Sequence, residues 1–247
     1  MRILFSLVWA TAACAQPPSS APLAVPPPLR AVAQLINDFG NTARYAADNQ
    51  KDAAAQNLVV FMGDSITDAW GRGNNGSHFF PGKPYVNRGI SGQTTAQMLL
   101  RFYPDVVALR PKAVVILAGT NDIGGNLGPV SLESIEQNLS AMADIARANN
   151  IKVVIASLTP VCDYHRPQTA QRPPEKILEL NRWIRLYTAN RHYVYLDYFS
   201  STVDDKGFFK AEITGDGLHP NAAGYEIMGP LAEKAIAEAL GAEVFGH

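Results

Sequence analysis

The sequence predicts an α/β fold: a flavodoxin-like three-layer α/β/α sandwich around a five-stranded parallel sheet. Two observations carry this. Short runs of apolar, mostly β-branched residues recur along the chain without polar alternation, as in strands buried on both faces. Between them lie longer segments with helical spacing of apolar residues, and regular strand–helix alternation requires parallel strands with crossover helices. The length, 247 residues, suits one such domain with small additions. A hydrophobic content of 47% is enough for a sizeable core, and a formal net charge of −1 gives no electrostatic reason for a nucleic-acid or anionic-membrane partner.

The elements follow in order. "MRILFSLVWATAACA" (1–15) reads as an export signal: a basic Arg2, a short apolar run and a small-x-small site at Ala13-Cys14-Ala15. Its alternatives are a buried strand and a lipid anchor on Cys14, with Thr11 where lipoprotein signals usually carry Leu. Residues 16–28, "QPPSSAPLAVPPP", form an extended tether. Residues 29–56 space Leu29, Val32, Leu35, Ile36 and Phe39 and are interrupted at Gly40-Asn41, which predicts a helical extension of one or two short helices packed on the main domain, 57–247. Strands are expected at 58–62, 113–118, 152–157 and 193–197, with a weaker one at 85–89. Helices are expected at about 94–102, 131–149, 175–190 and 222–240, the second entered at Ser131.

In an open parallel sheet, ligands gather beyond the carboxyl ends of the strands. The first strand is followed by "GDSIT", where Ser65 either presents its hydroxyl at the sheet edge or caps a helix. After the second, in "NRGISGQTT", Gly89 either brings a bare N–H to a ligand or makes a plain turn. After the third, in "GTNDIGG", Asn121 either projects an amide donor or closes an Asx-turn. The last loop, "TGDGLHPNAAGY", sets Asp216 three residues before His219. That spacing lets one tight turn join a carboxylate to an imidazole, or marks only a capped entry to the last helix. Taken together, these stretches supply a nucleophile, a base, its orienting acid and donors for a developing oxyanion at one sheet edge. His78, His165, His192 and His247 lack metal-ligand spacing, and no Lys follows the Gly-rich turn as in a phosphate loop. If the signal is cleaved, Cys162 is left as a lone structural thiol and no internal disulfide forms. "NGS" (75–77) and "NLS" (138–140) are glycosylation sequons.

"FMGDSIT", "RGISGQTT", "AGTND" and "DGLHP", in this order and spacing over about residues 57–240, resemble the four sequence blocks of the SGNH or GDSL hydrolases. The branch most similar is that of platelet-activating-factor acetylhydrolase subunits and related bacterial esterases. The resemblance implies Ser65 as nucleophile, His219 as base and Asp216 as its partner. It also implies an oxyanion hole from the Ser65 N–H, the Gly89 N–H and the Asn121 side chain. It further implies a serine esterase that needs no cofactor or metal and acts on a small-molecule or glycan ester; with the export signal, a secreted or periplasmic protein is expected, with no nucleic-acid partner, no membrane span and a possible lipid anchor at Cys14. Loops 71–84, 123–130 and 162–174 are polar with isolated aromatics Phe79, Phe80 and Tyr164, which either suit a sugar face or simply pack the loops down; without an apolar lid they favour short acyl esters, acetyl above all, of carbohydrates or other polar alcohols. The alternatives are a lipase, lysophospholipase or thioesterase for longer acyl chains, and a non-catalytic glycan- or lipid-binding module.

Overall fold

A computed structural model of the chain describes residues 32, 36–72 and 75–241. The signal, the tether, Cys14, Leu29 and Leu35 lie outside the described residues. Five parallel strands, β1 (Val59–Gly63), β2 (Tyr85–Gly89), β3 (Ala113–Leu117), β4 (Lys152–Ala156) and β5 (Val194–Leu196), form one sheet in the order β2-β1-β3-β4-β5. This is the flavodoxin-like order. Every residue of β1 and β3 is buried, the reason their runs carry no polar alternation.

The described residues include the helices α1 (Ala46–Asp52), α2 (Ser65–Asp68), α3 (Thr95–Asp105), α4 (Thr120–Ile123), α5 (Leu132–Ala148), α6 (Pro174–Arg191), α7 (Phe199–Thr202) and α8 (Ala222–Ala239). α3, α5 and α6 pack side by side on one face of the sheet, and α8 covers β3, β4 and β5 on the other. The starts obey local rules. Thr94 and Gln97 make a capping box before α3, the Ser131 hydroxyl accepts from Ser134 N before α5, and Asn221 accepts from Gly224 N before α8. α3 runs three residues past its expected end. Pro104 falls in its last turn, and the Pro104 carbonyl accepts from Asn49 Nδ2.

α2 and α4 were not legible as helices. Each is a single turn directly after a strand, too short to show periodicity. Within the extension, residues 36–56 contribute α1 and a turn that lies along α3 and β2. Gln93 Nε2 donates to Gly40 O (2.8 Å), Gln97 Nε2 to Phe39 O (2.9 Å), and the Tyr45 hydroxyl to Gly89 O. Arg88 ties α1 down through Asp52 (2.5 Å) and Asn49 (2.8 Å).

Phe79 and Phe80, expected beside the cleft, instead join Phe61, Trp70 and Tyr85 in an edge-to-face and tilted ring cluster on the flank of β1. Burying two large rings against a ready-made aromatic surface gains more than leaving them at a polar rim.

Candidate active site

The site is built at the carboxyl ends of β1, β2 and β3, where the chain must turn sharply. At the end of β1, Gly63 is obligatory: a Cβ there would lie 2.0 Å from Thr67 Oγ1. Asp64 then caps α2 by accepting from Ile66 N (2.9 Å), and Ser65 opens the helix. The Ser65 N–H is one of the unpaired donors of a helix start.

The last loop reaches the same point. Thr214 and Pro220 form an isolated bridge, and Gly217 (φ +83°) sits so close to Cys162 O that a Cβ would approach it to 2.2 Å. Asp216 Oδ1 accepts from the Leu218 N–H (2.9 Å) and the His219 N–H (2.8 Å), closing an Asx-type turn. That leaves Asp216 Oδ2 to take His219 Nδ1 at 2.7 Å, while His219 Nε2 lies 2.9 Å from Ser65 Oγ. An ionised carboxylate only accepts, so Nδ1 carries the proton and the Nε2 lone pair faces the serine hydroxyl. Burial pushes the Asp216 carboxyl up, but the hydrogen bonds from His219 and Leu218 outweigh it and hold it below the usual carboxylate range. Ser65, His219 and Asp216, separated by 154 and 3 positions, thus form one hydrogen-bonded chain.

The donor side differs from the sequence expectation at one residue. The Gly89 N–H donates to Asn87 Oδ1 (2.9 Å), and a Cβ on Gly89 would lie 2.1 Å from Asp68 N. Gly89 is therefore a packing glycine that lets β2 approach α2, and its N–H is not free for a ligand. Three residues on, Gly92 (φ +80°) sits at an exposed turn with open space around its Cα. Its N–H has no acceptor among the described residues. The turn is pinned on both sides. Ser91 N and Oγ donate to Asp68 Oδ2 on the serine helix (3.2 and 2.7 Å), and Gln93 O accepts from Asn121 Nδ2 (3.0 Å). The missed signal was the second glycine of "GISG", two residues before the Thr94 cap.

Asn121, in α4, is 3% exposed. One Nδ2 hydrogen goes to Gln93 O and the other is left for the site. Its neighbour Asp122 accepts from Thr95 N and Oγ1, the latter at 2.6 Å. Sequence reading also missed Arg101, which is fully buried. It donates to Gly63 O (3.0 Å) and Arg88 O (2.8 Å), pairs with Asp105 (3.0 Å) and holds the ends of β1 and β2 together beneath the site. A charged residue in the middle of an amphipathic helix gives no sequence sign that it points inward.

Asp64 is fully buried with Oδ2 unpartnered, and burial pushes its carboxyl up to about 6. Cys162 is a buried free thiol whose ionisation burial opposes; it lies beneath Gly217 and away from the serine. No group of three metal-ligating side chains occurs among the described residues. None of the helices among the described residues is long and apolar enough to cross a membrane.

Known proteins resemble this chain in sequence and in fold. The family model described as the GDSL-like lipase/acylhydrolase family matches residues 61–227. The esterase TesA of Pseudomonas aeruginosa is 30% identical over 183 residues, which is 70% of this chain and 84% of that esterase. The crystal structure of a GDSL-like lipase from Bacteroides thetaiotaomicron superposes with a TM-score of 0.73 at 39% identity, covering 82% of this chain and 100% of that one. An uncharacterized lipoprotein of Bacillus subtilis, YqeF, is 33% identical over 81 residues, 32% of this chain and 33% of the lipoprotein.

Proposed function

This chain belongs to the GDSL-like lipase/acylhydrolase family and is an ester hydrolase, and from that premise we propose that it is an exported serine esterase acting through Ser65, His219 and Asp216. The observation that carries the reading is the 2.9 Å contact of Ser65 Oγ with His219 Nε2, with Asp216 on the other ring nitrogen. His219 takes the hydroxyl proton as Ser65 Oγ bonds to the ester carbonyl carbon. Asp216 keeps the imidazole in the reactive tautomer and stabilises the imidazolium. The carbonyl oxygen becomes an oxyanion held by the Ser65 N–H, the Gly92 N–H and Asn121 Nδ2. Here Gly92 replaces Gly89. The proton then passes from His219 to the leaving alcohol oxygen, the C–O bond breaks, and a water activated by His219 hydrolyses the acyl-serine.

The preferred substrates are short acyl esters of carbohydrates or other polar alcohols. Supporting this, Ser65 is only half-buried, and the aromatics Phe79 and Phe80 of the 71–84 loop pack against the core beside Phe61 and Trp70. One observation favours a second reading, longer acyl chains. A cleft of 430 Å³ beside Gly92 includes Phe39, Ile90 and Leu127 in its wall. Each methylene buried there would add about 0.8 kcal/mol. Residues 1–15 direct export, with Cys14 either removed or lipidated.

The test is a fluorophosphonate label followed by kcat/KM for p-nitrophenyl esters from acetate to laurate. Labelling lost in Ser65→Ala, with the melting temperature unchanged, supports the nucleophile. Turnover within tenfold of the parent would exclude it, since loss of a triad member costs several orders of magnitude. A rate that climbs steadily toward laurate selects the longer-chain reading.

A further inference from the structure

We propose that Arg172 is a positioning residue for the oxyanion hole: it locks the Asn121 amide in the one orientation that aims Nδ2 at the developing charge. The proposal rests on the esterase reading above.

Arg172 is 5% exposed, a place where a charge is expensive unless it is paired. Its hydrogen-bond partners are nevertheless all neutral amides. Nη2 donates to Asn121 Oδ1 (3.4 Å), and Nη1 donates to Gln171 Oε1 (3.0 Å) and Gln168 Oε1 (3.3 Å), while Nε has no partner. A buried cation held this way keeps most of its field for its surroundings. The carboxylates whose charge reaches it are Asp64 and Asp216, both at the site.

Two contacts determine which end of the Asn121 amide points where. Gln93 O can only accept, so it requires Nδ2 on its side. Arg172 can only donate, so it requires Oδ1 on its own. Rotating the amide by 180° would set acceptor against acceptor and donor against donor. Without Arg172 a single contact remains and the Oδ1 side is unconstrained. Gln93 O alone still disfavours the flipped amide, but by half the penalty and with a freer torsion, so Nδ2 would meet the oxyanion less well aimed.

Arg172 is itself braced at both halves of the site. Gln171 Nε2 donates to Gly124 O (2.9 Å), in the turn that carries Asn121. Gln168 Nε2 donates to Asp216 O (3.1 Å), in the loop that carries the acid and the base. The guanidinium lies flat enough on Gly124 that a Cβ there would come within 2.9 Å of Arg172 Cζ. The segment 168–172 is therefore a cross-brace between donor turn and acid–base loop, and Arg172 is the member that reaches the amide.

The experiment is a double-mutant cycle on the full chain, with p-nitrophenyl acetate as substrate and each sample's active sites titrated with the fluorophosphonate probe. Arg172→Gln is expected to lower kcat about tenfold in the parent with KM changed less than about threefold, and to lower it by less than about twofold in an Asn121→Ala background. A merely structural role would lower kcat by the same factor in both backgrounds and would overturn the proposal. So would a change confined to KM. If Arg172→Gln does not fold, Arg172→Lys takes its place. It keeps charge and bulk but loses the planar fork, and the same dependence on Asn121 is expected. Should Asn121→Ala alone leave kcat unchanged, the oxyanion assignment falls and takes this proposal with it, while Ser65 labelling still reports on the esterase reading.

Discussion

Replacing Asn121 by alanine should separate chemistry from stability at a single residue. The side chain is 3% exposed and joins three groups: Gln93 O, Arg172 and the site. Alanine removes one of the three proposed oxyanion donors, and loss of such a donor costs roughly 10²–10³ in kcat, or about 3–4 kcal/mol of transition-state stabilisation. It also leaves the Gln93 carbonyl and one Arg172 N–H unpaired. At about 1 kcal/mol for each lost bond, the fold should lose about 2 kcal/mol. For a domain of this size that corresponds to a melting temperature lower by about 4–8 °C. The protein therefore stays folded at 25 °C, and initial rates with p-nitrophenyl acetate read the chemistry directly. KM should change little, because the ground-state carbonyl makes a weaker demand on the hole than the oxyanion does. A kcat within tenfold of the parent, or a rise in KM alone, would refute the reasoning and make Asn121 a structural or ground-state contact.

Gly89→Ala and Gly92→Ala should behave differently. The first drives a Cβ into the α2 backbone at 2.1 Å and should cost on the order of 3 kcal/mol or more, seen as loss of soluble protein or a large drop in melting temperature. The second has room but strains a residue at φ +80°, so it should cost only about 1–2 kcal/mol yet depress kcat, and equal stability losses would refute the packing role of Gly89. Asp64 sets a pH dependence of stability. The folded carboxyl holds its proton to about pH 6 and the unfolded one only to about 3.8, so stability present below pH 3.8 is lost as pH rises through about 6. Asp64→Asn keeps the cap acceptor and cannot ionise. Urea denaturation should show it gaining up to about 3 kcal/mol on the parent at pH 7.5 relative to pH 4. A difference independent of pH would refute the buried-charge argument.

Local patterns in the sequence were enough for the sheet and for much of the candidate site. Strands β1 and β3 were legible because a strand buried on both faces needs an unbroken apolar run. The long helices announced themselves by their periodicity and by caps such as Ser131. The Asp216–His219 spacing was legible because one turn joins both residues, so their contact is nearly local. Ser65 was legible from its place directly after a buried strand.

What remained depended on groups that meet only when the sheet assembles. Whether a glycine N–H is free is decided by what other segments bring to it. Asn87 takes the one on Gly89, and no described residue takes the one on Gly92. Nothing in the sequence marked Arg101 or Arg172 as buried, because a helix or loop position does not encode which carbonyls and amides will surround it. Phe79 and Phe80 looked like cleft aromatics until Phe61, Trp70 and Tyr85 offered them a larger apolar surface. The sequence by itself determined the strands, the turns and the local Asp216–His219 pairing of the candidate site, since these follow from interactions a few residues apart. Only the tertiary structure decided which donors stay unpaired and which charges point inward, since a hydrogen bond saturates its partners and the competition for them runs across the whole fold.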